Sequence, residues 1–186
     1  MTERIALAVF ESVWALLLLA AVVAQVLSAD TIPKRRAGVA INTLVIAPFV
    51  LVLGLFYLGR YSGTFEANPA VRSCGAVAAI GGMAAYMVSH LYLRRNWSLT
   101  ASVREGHQLV TGGAYRFVRH PMYSSMTLTV LGSGLLMDNY LILASTVVVG
   151  LVYYVRAKKE EELLWQEFPE FSGYASRVKM FIPFVF

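Results

Sequence analysis

Long apolar runs separated by short polar breaks set the pattern of this chain, and each run predicts a helix in lipid before anything else is considered. A hydrocarbon core takes roughly 20 apolar residues in a helix, and the run from Ile5 to Ser28 meets that with Glu11 as its only charge. Asp30 to Arg36, DTIPKRR, breaks the run and predicts a short loop carrying adjacent cations. A second run, Gly38 to Leu58, holds Asn42 and Pro48, and the proline predicts a kink whose freed carbonyl is satisfied by neighbouring helices. Gly59 to Pro69 has the composition of a loop. In the third run, Ala70 to Leu93, Gly75, Ala78, Ala79, Gly82 and Ala85 recur near helical spacing, which predicts close packing on a neighbour. After a polar segment ending at His120, Pro121 to Met137 and Tyr140 to Tyr154 read as the arms of a helical hairpin joined at Asp138-Asn139. Each arm is short for a full crossing, so tilt or burial among other helices makes up the difference.

The pattern predicts an all-α, polytopic membrane helix bundle of about five transmembrane helices. It forms a single integral membrane domain, 1–186, with three N-terminal spans in 1–93, a polar segment at 94–120, the hairpin at 121–155 and a C-terminal helix and tail at 156–186. In the tail Arg156 and Glu160 are placed to pair on one helical face, and Lys158 and Glu162 likewise. Charge pattern alone reads there as a solvated amphipathic helix on the membrane surface, with RVKMFIPFVF returning to the interface.

Composition strengthens the membrane reading: 58% of the residues are hydrophobic and 15% charged, with a mean hydropathy of +0.61. The formal charge of +5 sits between apolar runs, so the cations act as orientation signals rather than as a nucleic-acid footprint. They place the N-terminus outside and the polar segment, the C-terminus and a cofactor pocket on the cytoplasmic side. The N-terminal run is longer than the apolar core of a secretory signal and is expected to be a retained anchor. Cys74 is the single cysteine, which excludes an internal disulfide and a thiol-rich metal site within one chain. Neither a Walker-type loop nor a metal-spaced His/Cys/Asp cluster is present, so no metal is expected.

The chemistry concentrates in Arg104 to Ser124, REGHQLVTGGAYRFVRHPMYS. Proline disfavours helix in the residue before it and suits the first helical turn, so a helix is predicted to start near Pro121. The N–H groups of Met122, Tyr123 and Ser124 would then be unpaired and form an anion site, with Arg119 and His120 at its mouth. His107, Tyr115 and His120 converge with Arg156 and Glu160 at one end of the bundle, a place suited to a polar cofactor beside a lipid-soluble substrate. His107 taken alone reads as a loop histidine sooner than as a site residue, and Gly112-Gly113 reads equally as a plain turn or a site of close cofactor approach.

Asn96-Trp97-Ser98, Gly106 to Thr111, Gly113 to Arg116, Val118 to Tyr123, and Arg156 with Glu160-Glu161, in that order and spacing, resemble the isoprenylcysteine carboxyl methyltransferase family. Phe168 to Pro183 resembles that family's closing segment, with Phe171 in place of a tyrosine and a spacing one residue short. The resemblance implies a membrane methyltransferase that uses S-adenosyl-L-methionine, bound by His107, Gln108, Leu109, Val110, Tyr115, His120, Pro121, Met122, Tyr123 and Glu160. By the same resemblance Arg156 faces the substrate, and Arg156, Glu160 and His120 carry catalysis. The implied acceptor is a lipophilic or lipid-modified molecule with an isoprenylcysteine-like carboxylate; a phospholipid amine or a small thiol, as in wider relatives, is the alternative. The chain's shortness resembles prokaryotic members and implies a prokaryotic cytoplasmic membrane. An NADPH-dependent membrane reductase and a non-catalytic scaffold or transporter are the competing classes.

Overall fold

The computed structural model describes residues 2–27, 33–36, 47–59, 64–66, 68–93, 102–104 and 108–185. In chain order the elements are helix α1 (Glu3–Leu27), strand β1 (Pro33–Arg36), α2 (Ala47–Gly59), α3 (Pro69–Leu93), strand β2 (Ser102–Arg104), a 3-10 turn (Gly113–Arg116), α4 (Pro121–Leu136), α5 (Tyr140–Glu167) and α6 (Phe171–Arg177). The fold is mostly helical, as the apolar runs predict. The exception is a ribbon: Lys34-Arg35-Arg36, expected in a loop, belongs to β1, which pairs antiparallel with β2. Strand pairing across so great a sequence separation leaves no alternating pattern in a four-residue charged segment.

Among the described residues three helical stretches are long and apolar enough to cross a membrane, Glu3–Val23, Pro69–Leu93 and Tyr140–Glu167. The fifth helix runs unbroken from Tyr140 through the charged tail to Glu167, 28 residues in all. Helix α4 has 16 residues and α2 has 13, below the roughly 20 of a straight crossing. Pro48 falls in the first turn of α2, where the missing N–H costs no helical bond; residues 38–46 and the kink expected there lie outside the described residues, as does Asn42.

Lipid supplies no hydrophobic force between helices, so close backbone approach and buried polar contacts must join them. The predicted small-residue face of α3 does this against α4. A Cβ on Gly75 would lie 2.8 Å from the Gly132 carbonyl oxygen, and one on Gly82 would lie 2.7 Å from that of Ser125. On α4 the buried hydroxyls of Ser125 and Thr129 turn back to their own helix, donating to the carbonyls of Pro121 at 2.7 Å and Ser125 at 2.9 Å. Trp14 of α1 donates its indole N–H to Ser133 of α4 at 3.1 Å. Around this seam Phe10, Trp14 and Leu17 of α1 share a core with Val52 and Phe56 of α2, Met126 and Val130 of α4, and Val149 and Tyr153 of α5. Phe10 and Phe56 stack at 4.4 Å. The outward faces are apolar: Leu18, Leu19, Val77, Leu91, Val147 and Leu151 are all exposed, as suits a surface solvated by acyl chains.

The hairpin turn is held from both sides. Asn139 caps α5, its side chain accepting from the N–H groups of Leu141 at 2.9 Å and Ile142 at 3.1 Å. Asp138 sits in the left-handed region at φ 50°, and its carbonyl accepts the Phe65 N–H at 2.9 Å. This fixes α5 beside α4, so that the C-terminal part of α5 comes back to the N-terminus of α4.

Candidate active site

That return brings a basic pair on α4's entrance, Arg119-His120, against an acidic pair on α5, Glu160-Glu161. His120 caps α4 at φ −124°, ψ 60°, with Pro121 in the first turn, as the constraint before proline requires. The helix therefore begins where the sequence predicts. The expected anion site does not form as expected: Tyr123 and Ser124 N–H both donate to the His120 carbonyl, at 3.1 and 3.2 Å. An N-cap carbonyl accepts the first intrahelical bond, and here it takes two.

The charges form one connected network. Tyr123 hydroxyl donates to Glu160 Oε1 at 2.6 Å and accepts from Arg156 Nε at 2.6 Å. Arg156 Nε also lies 3.1 Å from Glu160 Oε1, the predicted pairing one turn apart. Arg156 is only 1% exposed, and a cation so deeply placed requires a paired counter-charge. The tail is thus not a solvated surface helix at this point. Glu161 Oε1 receives Arg119 Nε at 2.7 Å and lies 3.1 Å from His120 Nε2. Glu160 Oε2 faces His120 Nδ1 at 3.8 Å, too far for a hydrogen bond. Farther along, Glu162 pairs with Lys159 at 2.9 Å and not with Lys158, because Lys158 Nζ lies over the Tyr154 ring, 5.7 Å from its centroid.

Aromatic rings surround these charges. His120 stacks on Tyr123 at 5.6 Å, and Tyr123 on Tyr153 of α5 at 4.7 Å. Tyr115 is buried in the 3-10 turn. Burial first, and then the Glu160 carboxylate, hold its phenol far above the usual range; burial does the same for Tyr174 of α6. Both are neutral donors. Tyr174 uses its hydroxyl to donate to the Tyr115 carbonyl at 2.5 Å.

The closing segment straps this corner together. Arg119 and His120 donate their backbone N–H to the carbonyls of Lys179 at 2.8 Å and Met180 at 3.0 Å, Ser124 hydroxyl donates to Phe181 O at 2.7 Å, and Arg119 Nη1 reaches the carbonyls of Ala175 and Val178. Beyond it Ile182, Phe184 and Val185 are exposed apolar residues, in keeping with the predicted return to the interface.

Of the residues expected at the site, His120, Tyr123, Arg156 and Glu160 are brought together directly, and Tyr115 lies within electrostatic reach of Glu160. Leu109 and Val110 are half-buried on the approach to the turn and Gln108 is exposed. Met122 belongs to the hydrophobic core cluster. His107, with Asn96-Trp97-Ser98 and Gly106, lies outside the described residues. Gly113 has φ +58°, and a Cβ there would lie 2.5 Å from the Tyr92 ring, which favours the turn reading of Gly112-Gly113. Sequence reasoning left Tyr153 and Tyr174 without roles, and gave Arg119 a place at the helix entrance but no partner. The adjacent Arg119-His120 and Glu160-Glu161 pairs, at the two ends of a hairpin, were the available signal.

Comparison with known proteins agrees with this geometry. The fold is similar to that of a eukaryotic intramembrane Ras methyltransferase, isoprenylcysteine carboxyl methyltransferase, with a TM-score of 0.55 and 20% identity over 82% of this chain and 55% of that one. Residues 71–170 match the phospholipid methyltransferase family, to which the chain belongs. Its relatives include the cobalt-zinc-cadmium resistance protein CzcN of Cupriavidus metallidurans, 32% identical over 81% of this chain and 64% of that protein. Protein-S-isoprenylcysteine O-methyltransferase B of Arabidopsis thaliana is 37% identical over 44% of this chain and 42% of its own length. The chain thus matches less than two thirds of the length of these relatives. The chain is an integral membrane protein of that phospholipid methyltransferase family.

Proposed function

We propose that this protein is an S-adenosyl-L-methionine-dependent methyltransferase acting on a lipophilic acceptor. One observation carries the reading: the Tyr123 hydroxyl joins Arg156 and Glu160 into a buried unit against the His120 corner, within the stretch that matches a methyltransferase family. The residues fit the cofactor. Glu160 Oε2 is placed to hold an ammonium, and the ring of Tyr115 suits a sulfonium, a cation–π contact of about 0.5 to 2 kcal/mol. His107, Gln108, Leu109, Val110, Pro121 and Met122 are assigned to the same cofactor. When bound, the group supplies an activated methyl for in-line displacement.

The chain's own residues align the reactants and exclude water. A carboxylate acceptor of the isoprenylcysteine kind is ionised at neutral pH and needs no general base, and Arg156 supports its charge. With a phospholipid amine or a thiol a proton must leave, and Glu160 Oε2 is the oxygen placed to take it. The helix ends support five crossings of alternating direction, since Glu3, Phe56, Arg72 and Asp138 share one end while His120 and Glu160 share the other. The cations at the site end support a cytoplasmic location for it.

The test is incubation of the purified protein with methyl-labelled S-adenosylmethionine and membrane extracts, followed by identification of the labelled product. A labelled lipophilic ester is expected. Saturable NADPH binding with no affinity for S-adenosylmethionine or its demethylated product would establish the reductase instead, and binding of neither would leave a scaffold.

A further inference from the structure

At the end of the bundle remote from His120, the start of α1, the end of α2, residues 64–66, the start of α3 and the α4–α5 turn enclose a cleft of about 370 Å³. Among the described residues its polar lining sets three carboxylates, Glu3, Glu66 and Asp138, against one guanidinium, Arg72. Arg72 is committed to a single oxygen: its Nε donates to Asp138 Oδ2 at 2.6 Å, and its Nη2 contacts the same atom. Asp138 Oδ1 is shielded from water and has no hydrogen-bond partner among the described residues, on a side chain only 6% exposed. A buried carboxylate oxygen without a donor is costly, and in native structures such an atom calls for a ligand or a functional reason.

The donor that is missing must carry N–H or O–H, and the surplus of negative charge selects a cation. The carboxylates do not converge as a metal site would: among the described residues no group of three or more His, Cys, Asp or Glu side chains is placed to hold a metal ion. A protonated amine meets both requirements with one hydrogen bond to Asp138 and longer-range attraction to Glu3 and Glu66. Phe56 and Phe65 supply aromatic walls on which an ammonium is favourably placed.

We propose that this cleft binds a protonated amine on the membrane face opposite the candidate active site, the Asp138 side chain turning its shielded Oδ1 toward the cleft to accept from it. The amine is either the headgroup of a phospholipid in the facing leaflet or a free small amine. The site is independent of the methyl-transfer reading, since none of its residues belongs to the His120 corner.

The full chain is placed in nanodiscs of mixed phosphatidylethanolamine and phosphatidylcholine, and retained lipid is read by native mass spectrometry. In parallel, ethanolamine and choline are titrated against the detergent-solubilised protein and thermal unfolding is followed. A lipid source gives about tenfold preference for the ethanolamine lipid, the worth of one charge-assisted hydrogen bond. A free amine gives stabilisation by ethanolamine and not by choline, without lipid preference. In either case Asp138→Asn removes the effect, and Glu66→Gln, at an exposed position, lowers it by about threefold while leaving the fold intact. Equal treatment of ethanolamine and choline forms in both arms, or a preference unchanged in Glu66→Gln and Asp138→Asn, overturns the proposal.

Discussion

Replacing Tyr123 by phenylalanine isolates the hydroxyl on which the proposed site depends. The ring remains, so its stacking on His120 and Tyr153 is kept. What is lost is a hydroxyl that donates to Glu160 and accepts from Arg156, each at 2.6 Å. Hydrogen bonds to charged groups are worth about 1.5 to 3 kcal/mol each. The full sum is not lost, because Arg156 Nε remains 3.1 Å from Glu160 Oε1 and the two charges still compensate one another. Breaking that pair outright by removing a partner would cost about 3 to 5 kcal/mol, which bounds the effect from above. The expected loss is therefore about 2 kcal/mol of stability, read as a lowered unfolding midpoint in detergent. Methyl transfer should fall as well, since Glu160 is no longer held from one side. A Tyr123→Phe protein with the stability and turnover of the parent would refute the view that the hydroxyl organises the site.

Further substitutions divide the roles of the remaining residues. Arg156→Ala is expected to depress turnover more than cofactor binding; lost affinity with normal turnover at saturating cofactor would reverse that assignment. Calorimetry on Glu160→Gln should show weakened S-adenosylmethionine binding, and unchanged affinity would remove Glu160 from the cofactor site. Arg119→Ala should free the closing segment, with faster amide exchange over residues 174–181 than in the parent; equal protection would show that the backbone contacts to Lys179 and Met180 suffice. Gly132→Ala places a Cβ against the α3 backbone, 2.7 Å from the Gly75 carbonyl oxygen, and overpacking of this kind costs about 1 to 3 kcal/mol. An unshifted midpoint in denaturant would show that the α3–α4 seam yields.

The helices were legible in the sequence because lipid imposes a simple demand on composition. Ile5 to Ser28 and Ala70 to Leu93 satisfy it plainly, and α1 and α3 fall within a few residues of those limits. Pro121 marked the start of α4 for a local steric reason. The Arg156 and Glu160 pairing was legible too, because helical spacing is a local rule. The Arg119 to Glu161 contact was not, since it joins positions 42 residues apart and depends on how two helices rotate about their axes. Likewise the free N–H groups expected after Pro121 were lost to the His120 carbonyl, whose double acceptance depends on turn geometry rather than on residue type. The ribbon from Lys34-Arg35-Arg36 was hidden for want of any alternation within so short a segment.

The unbroken length of α5 ties the proposed site to the lipid around it. At 1.5 Å per residue its 28 residues reach about 42 Å, against a hydrocarbon layer of about 30 Å. The rod that carries Arg156 and Glu160 therefore extends well past the acyl chains. A thicker or thinner bilayer must tilt or sink that rod as hydrophobic matching demands. Its charged end moves relative to the shorter α4, so acyl-chain length becomes a variable of the proposed site itself.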